Sequence, residues 1–179
     1  MHCVKKVTDD LYWIGGSDRR LALFENVYPI PRGVSYNSYV LLDEKTVLLD
    51  TVDASISGLF FENLEYVLNG RTLDYLIVNH MEPDHSGAIF ELMKRAPEAK
   101  IIIAVTAKSM LKALVKSDIE FTTAQTGDKI SLGDKTLEFL STPFLHWPDT
   151  MSTYFIEDKI LFSGDVFGCH FYDPRLFDD

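Results

Sequence analysis

Apolar and polar positions alternate with a period of two near the start of this chain, shift to helical spacing in the middle, and return to strand spacing after Phe121. Tyr36 to Leu42 and Thr46 to Asp50 are β-rich runs on either side of Asp43-Glu44-Lys45, a pattern that predicts a hairpin. Leu59, Phe60, Leu64, Val67 and Leu68 share one stripe at helical spacing, and Asn69-Gly70 stops that helix. Leu73 to Val78 is apolar without alternation, as expected of a strand covered on both faces. Ser86 to Arg95 predicts a helix on Ile89, Leu92 and Met93, Lys100 to Ala104 another buried strand, and Thr106 the cap of a helix carrying Met110, Leu111, Leu114 and Val115. Beyond Phe121, strands are predicted at Lys129 to Leu132, Thr136 to Ser141, Thr153 to Ile156 and Lys159 to Ser163, turning at Gly133-Asp134 and Glu157-Asp158. Strand hairpins mixed with strand-helix units, with no repeat or linker, predict one α/β (α+β) unit over residues 1–179, built of layered sheets covered by helices.

The chemistry gathers where predicted strands end. Leu73 to Val78 runs into His80-Met81-Glu82-Pro83-Asp84-His85, four ionisable residues within six positions leaving a strand too apolar to be exposed. In an extended segment His80, Glu82 and Asp84 would point to one side while Met81 and Pro83 turn away, and Pro83 keeps Glu82 extended. A lone His or Asp here would read as a solvated loop. Four together beside a buried strand are costly unless a cation or substrate uses them, and imidazole with carboxylate ligands favours iron, manganese or zinc. The absence of thiolates leans away from a structural zinc site. Two further segments follow strands: Pro143-Phe144-Leu145-His146-Trp147-Pro148-Asp149-Thr150-Met151 and Ser163-Gly164-Asp165-Val166-Phe167-Gly168-Cys169-His170. Singly, His146 reads equally well as a histidine wedged against Trp147, and Asp165 as a turn carboxylate. With the first cluster in view, both read as ligands, Asp165 having two oxygens with which to bridge two cations.

Composition narrows the partners. The 179 residues carry 17 Lys plus Arg against 27 Asp plus Glu, and a net charge of −10 argues against binding nucleic acid or an anionic membrane surface. No apolar run reaches the length of a membrane span, and the start Met1-His2-Cys3-Val4-Lys5-Lys6 lacks a signal-peptide pattern, so a cytoplasmic protein is expected. Cys3 and Cys169 are too few for a disulfide framework and wrongly spaced for a thiolate zinc site; a bridge between them would be odd in a reducing compartment.

HxExDH, then a His in LHWPDTM, then an Asp in SGDVFG resemble, in order and separation, the metallo-β-lactamase-like domain of the flavodiiron proteins, or A-type flavoproteins. Tyr12-Trp13-Ile14-Gly15 and Leu48-Leu49-Asp50-Thr51 resemble that family's opening strands. Most hydrolases of the wider superfamily carry HxHxDH, and Glu82 stands where their second histidine would be. The resemblance covers essentially the whole chain and implies an αββα sandwich, here incomplete at its C-terminal side. It implies that His80, Glu82 and His146 hold one iron, that Asp84 belongs to a second, and that Asp165 bridges them. His85 matches a position that orients a carboxylate or water, and His170 is expected either in the same supporting role, as a proton donor, or simply packed on Phe171 and Tyr172.

The implied activity is reduction of dioxygen to water or of nitric oxide to nitrous oxide, with two iron ions on this chain. Electrons would come from FMN on a flavodoxin-like partner domain or chain, served by a rubredoxin-type donor. The family's domain continues past the Asp165 motif and supplies a further histidine, whereas the present sequence has none after His170. Half a sandwich would expose an apolar face, so three arrangements are expected: a piece of a longer chain, a product completed by a second polypeptide, or a protomer completed by a second copy. The end at Pro174-Arg175-Leu176-Phe177-Asp178-Asp179 favours the first two. Two other functions compete: a metal-dependent hydrolase of the same fold, which Glu82 and LHWPDTM argue against, and a diiron oxygen sensor without turnover.

Overall fold

The computed structural model describes residues 2–115 and 119–175; the sequence features at Met1 and at 176–179 lie outside them. The N-terminal third is strand: β1 (Lys5–Lys6), β2 (Leu11–Trp13), β3 (Gly16–Asp18), β4 (Leu23–Phe24), β5 (Tyr28–Pro29), β6 (Val34–Tyr36), β7 (Tyr39–Leu42) and β8 (Thr46–Leu49). The middle alternates helix and strand through α1 (Ser57–Leu68), β9 (Tyr75–Val78), α2 (Pro83–Ser86), α3 (Ile89–Arg95), β10 (Lys100–Ala104), α4 (Lys108–Val115) and β11 (Phe121–Ala124). Four strands follow, β12 (Lys129–Ser131), β13 (Thr136–Ser141), β14 (Met151–Phe155) and β15 (Ile160–Phe162).

Among the described residues, one sheet has seven strands in the order β1-β2-β7-β8-β9-β10-β11, and a second has the order β12-β13-β14-β15. In the first sheet β8, β9, β10 and β11 run parallel, which requires the crossovers that α1, α2 with α3, and α4 provide. Parallel strands covered on both faces carry near-continuous apolar runs, and Leu48, Leu49, Leu76, Ile77, Ile101 and Ile103 are all buried. The second sheet is antiparallel and packs on the first: the Tyr39 and Phe162 rings stand 5.3 Å apart, and the Lys45 amide donates to Leu132 at 2.9 Å. Phe139 and Phe155 of that sheet join Phe60, Leu64, Ile89 and Leu111 of the helices in one continuous core. Each such side chain removed from water contributes about 1.5–3 kcal/mol.

Several boundaries differ from expectation for local reasons. Tyr36 to Leu42 is two strands: β6 pairs with β3 in a separate ribbon, and only β7 joins the large sheet. Thr106 does not cap α4; it lies inside a 3-10 turn over Val105–Ala107 that leads directly into that helix. The single helix expected over Ser86 to Arg95 is a short turn, α2, and a separate α3, with Gly87 and Ala88 between them. Asn69, in the left-handed conformation at φ 45°, ends α1, and Gly70 follows at φ 88°. Cys3 and Cys169 are free thiols.

Candidate metal centre

Parallel β8 and β9 are hydrogen-bonded neighbours, so their carboxyl ends open on the same edge of the sheet. Asp50 leaves β8 there and His80 leaves β9 one residue after Asn79. Asp50 takes a left-handed backbone at φ 56°, and its Oδ1 accepts the Asn79 amide at 2.6 Å, tying the two strand ends together. The second sheet is fastened to the same edge: the Met151 amide donates to the Asn79 carbonyl at 2.9 Å and the Thr153 hydroxyl to Asn79 Oδ1 at 2.7 Å. The loop from β13 to β14 therefore delivers His146, and the turn after β15 delivers Asp165, over the end of β9.

Two donor groups result, and Asp165 belongs to both. His80, Glu82, His146 and Asp165 each bring a ligand atom within 4.8 Å of the others, as do Asp84, His85 and Asp165. His80 Nε2 and His146 Nε2 stand 2.9 and 3.1 Å from Glu82 Oε2, and His146 Nε2 is 3.1 Å from Asp165 Oδ2. The other carboxylate oxygen, Asp165 Oδ1, lies 2.8 Å from His85 Nε2, which is 3.6 Å from Asp84 Oδ2. The expected convergence of His80, Glu82 and Asp84 on one side needs correction. Glu82 is extended at ψ 146°, but Pro83 opens a helical turn, so period-two alternation ends at Glu82 and Asp84 falls in the second group with His85.

Each buried imidazole has a carboxylate behind it. His80 Nδ1 is 3.1 Å from Asp149 Oδ2, which also accepts the Met81 amide at 2.8 Å, and His85 Nδ1 is 3.2 Å from Asp50 Oδ2. A carboxylate on Nδ1 fixes the tautomer and turns the Nε2 lone pair toward the shared site. Burial opposes charge on His85, yet the Asp165 and Asp50 carboxylates hold its pKa well above the usual histidine value. Burial pushes Asp84 up to about 6, with Asp165 and Glu82 adding to the effect. For Asp165 burial is overcome by His85 above all, then His80 and His146, which hold it down at about 2. Carboxylates and imidazoles crowded in this way call for added positive charge. Asp84 Oδ1 is buried without a hydrogen-bond partner, and the donor set, nitrogen and carboxylate without sulfur, suits two first-row cations sharing Asp165.

The sequence profile described as "ODP family beta lactamase" matches residues 34–178. The chain belongs to that family. It is 40% identical over 177 residues to a type A flavoprotein fprA of Rhodobacter capsulatus, covering 97% of this chain and 41% of that protein. To an anaerobic nitric oxide reductase flavorubredoxin of Vibrio vulnificus it is 41% identical over 176 residues, covering 97% and 36%. The rubredoxin oxygen:oxidoreductase of Desulfovibrio gigas superposes with a TM-score of 0.91 at 31% identity, over 96% of this chain and 43% of that one. A flavodiiron protein of Giardia intestinalis does so at 0.91 and 28%, over 98% and 43%. The fold is metallo-β-lactamase-like, and this ODP-family chain spans about two fifths of the length of these relatives.

The structure brings together all five residues read as ligands in this ODP-family sequence, and it sets His85, expected in a supporting role, beside Asp84 and Asp165 where its Nε2 could also donate. His146 stays 53% exposed at the rim, while Trp147 packs edge-on against His80 at 5.2 Å. His170 has an aromatic partner far from it in sequence. It stacks on Phe24 at 4.1 Å in the wall of an open cavity of about 570 Å³ over the donors. Asp50 and Asp149 were given no role by sequence reasoning. The available signal was positional: Asp50 ends an apolar strand paired with the His80 strand, and Asp149 lies three residues after His146.

Proposed function

We propose that this chain forms the diiron half of a cytoplasmic flavodiiron-type oxidoreductase that reduces dioxygen to water, nitric oxide to nitrous oxide, or both. His80, Glu82 and His146 would hold one iron, Asp84 and His85 the other, and Asp165 would join them through its two oxygens. Two bound irons would supply reducing equivalents and open positions for a diatomic substrate. The observation that carries the reading is Asp165 standing between two donor groups, with Glu82 where a hydrolase of this fold would have histidine.

The chain's own residues do the arranging. Asp149 and Asp50 keep Nε2 of His80 and His85 free to donate a lone pair, and the Glu82, Asp84 and Asp165 carboxylates favour higher metal charge. The cavity walls, Val34, Tyr28, Trp147 and His170 among them, admit a small diatomic from the open side, and His170 offers an imidazole there for carrying protons. Dioxygen needs four electrons and four protons to become two waters, and two nitric oxides need two of each to become nitrous oxide and water. The first demand exceeds what two ferrous ions store between them, so electrons must arrive from outside, from FMN on a flavodoxin-like domain or chain. Relatives named flavoprotein, flavorubredoxin and rubredoxin oxygen:oxidoreductase support that source and a rubredoxin-type donor. They also support the domain assignment of residues 1–179 as one portion of a longer assembly, completed by further chain, a second polypeptide or a second copy.

Gas consumption by the full-length reduced protein, followed with oxygen and nitric oxide electrodes, tests this. Consumption of either gas that falls by about a hundredfold in Glu82→Ala is expected. Bound zinc with hydrolysis of a thioester or phosphodiester, and no gas consumption, would overturn it.

A further inference from the structure

The turn that carries Asp165 has little packing of its own. Residues 163–170 are all exposed or half-buried, and Phe167 stands fully in solvent. The turn is compact, with the Val166 amide donating to the Ser163 carbonyl at 3.4 Å and the Gly168 amide to the Asp165 carbonyl at 2.9 Å. Its start is fixed by β15, which pairs with β14, so whatever fixes its far end also fixes Asp165. One stretch of the N-terminal third grips that far end. His170 stacks on Phe24 with ring centres 4.1 Å apart, the Arg32 guanidinium lies 5.1 Å over the Phe171 ring, and the Arg19 guanidinium lies 5.1 Å over the Tyr172 ring. Near-parallel rings, and cations over ring faces, attract at these separations. Three successive residues are thus held by residues 19–32. That stretch is itself anchored, since Phe24 and Ile30 are each 3% exposed within the continuous core and the Ile30 amide donates to the Ala22 carbonyl at 3.1 Å.

We propose that Phe24 is a positioning residue for Asp165: through its stack on His170 it ties the far end of the turn to the core, so that the two Asp165 oxygens meet both donor groups at once. This rests on the two-cation reading above. The β4–β5 pair, which joins neither main sheet, thereby has a part in the centre. Because Asp165 is shared, loosening its turn weakens both cation sites together, whereas a disturbance confined to α2 weakens one.

Three variants of the full-length protein test this. Phe24→Leu removes the ring from the core side, His170→Ala removes it from the exposed side, and His170→Phe keeps a flat face without an imidazole. Amide hydrogen exchange of the metal-free protein should quicken severalfold over residues 163–172 in the first two and stay at the wild-type rate in His170→Phe, with β9 and β10 unchanged in His170→Ala. Titration with cobalt(II) as probe should show both ions bound about tenfold more weakly in the first two, and wild-type affinity for both in His170→Phe. Wild-type exchange over 163–172 in His170→Ala, a loss confined to one ion, or a His170→Phe variant as weak as His170→Ala would overturn the proposal and leave the two-cation reading standing. Exchange that quickens equally in β9 and β10 of His170→Ala would show general destabilisation and overturn it too. Wild-type protein that binds fewer than two cobalt ions would overturn the two-cation reading and the proposal with it.

Discussion

His80 is held at both ring nitrogens, by Asp149 on one side and Glu82 on the other, and is 1% exposed. Asp149→Ala leaves the His80 Nδ1 proton and the Met81 amide buried without an acceptor. It should destabilise the apoprotein by about 1–3 kcal/mol in urea and weaken metal binding by about 10–100-fold against a competing chelator. Away from the centre, Asp10 is lowered below its ordinary pKa of 3.8: partial burial opposes this, but the Thr8 hydroxyl and Lys135 ammonium prevail. A carboxyl with a lowered folded-state pKa contributes stability present above 3.8 and lost as pH falls through the folded value. Asp10→Asn should therefore lower the urea midpoint at pH 7 and leave it close to wild type once the wild-type carboxyl is also protonated, in strong acid. At this scale the ligand types were legible, because imidazoles and carboxylates massed at the end of an apolar strand have few other uses. Asp149 and Asp50 were not, because each acts through a partner 69 or 35 residues away, and each sits in a stretch that reads locally as a turn or strand end.

The elements place these residues within tight limits. A Cβ on Gly87 would stand 2.7 Å from the Pro83 carbonyl oxygen and 2.9 Å from the Ala54 amide nitrogen, both backbone atoms that cannot swing away. Gly87→Ala must push α2 outward, and α2 carries Asp84 and His85. The expected result is a destabilisation of about 1–3 kcal/mol together with weakened binding of one metal ion of two, seen by urea unfolding and cobalt titration. Strand positions were legible from β-rich runs and Gly or Asp turns, as Thr136 to Ser141 shows by coinciding with β13. What escaped was pairing. Nothing local in Tyr36 to Leu42 distinguishes the residues that join the ribbon from those that join the large sheet. The helical turn at Pro83 was hidden because proline fits an extended segment and a first helical turn equally well.

At the scale of the molecule, strand ends from one sheet and loops from the other meet at a single edge, so the centre exists only when both sheets are packed. On the proposed reading metal binding and folding are linked, since any cation bound by the folded state alone stabilises it. Removal of metal from the full-length protein with a chelator should lower the thermal midpoint, and readdition of iron(II) should restore it. The order of elements revealed the layered architecture, since parallel strands joined by helices and antiparallel strands joined by tight turns segregate along the chain. The way the sheets dock, through Asn79 to Met151 and Thr153, is a long-range fact that no window of sequence contains. The central claim is that Asp165 joins two donor groups into one two-iron centre. Iron content of the anaerobically purified full-length protein, compared with that of Asp165→Ala, tests it most directly. Two irons per chain in the wild type and loss of both affinities in the variant are expected; a single iron, or a variant that keeps two, would contradict the account.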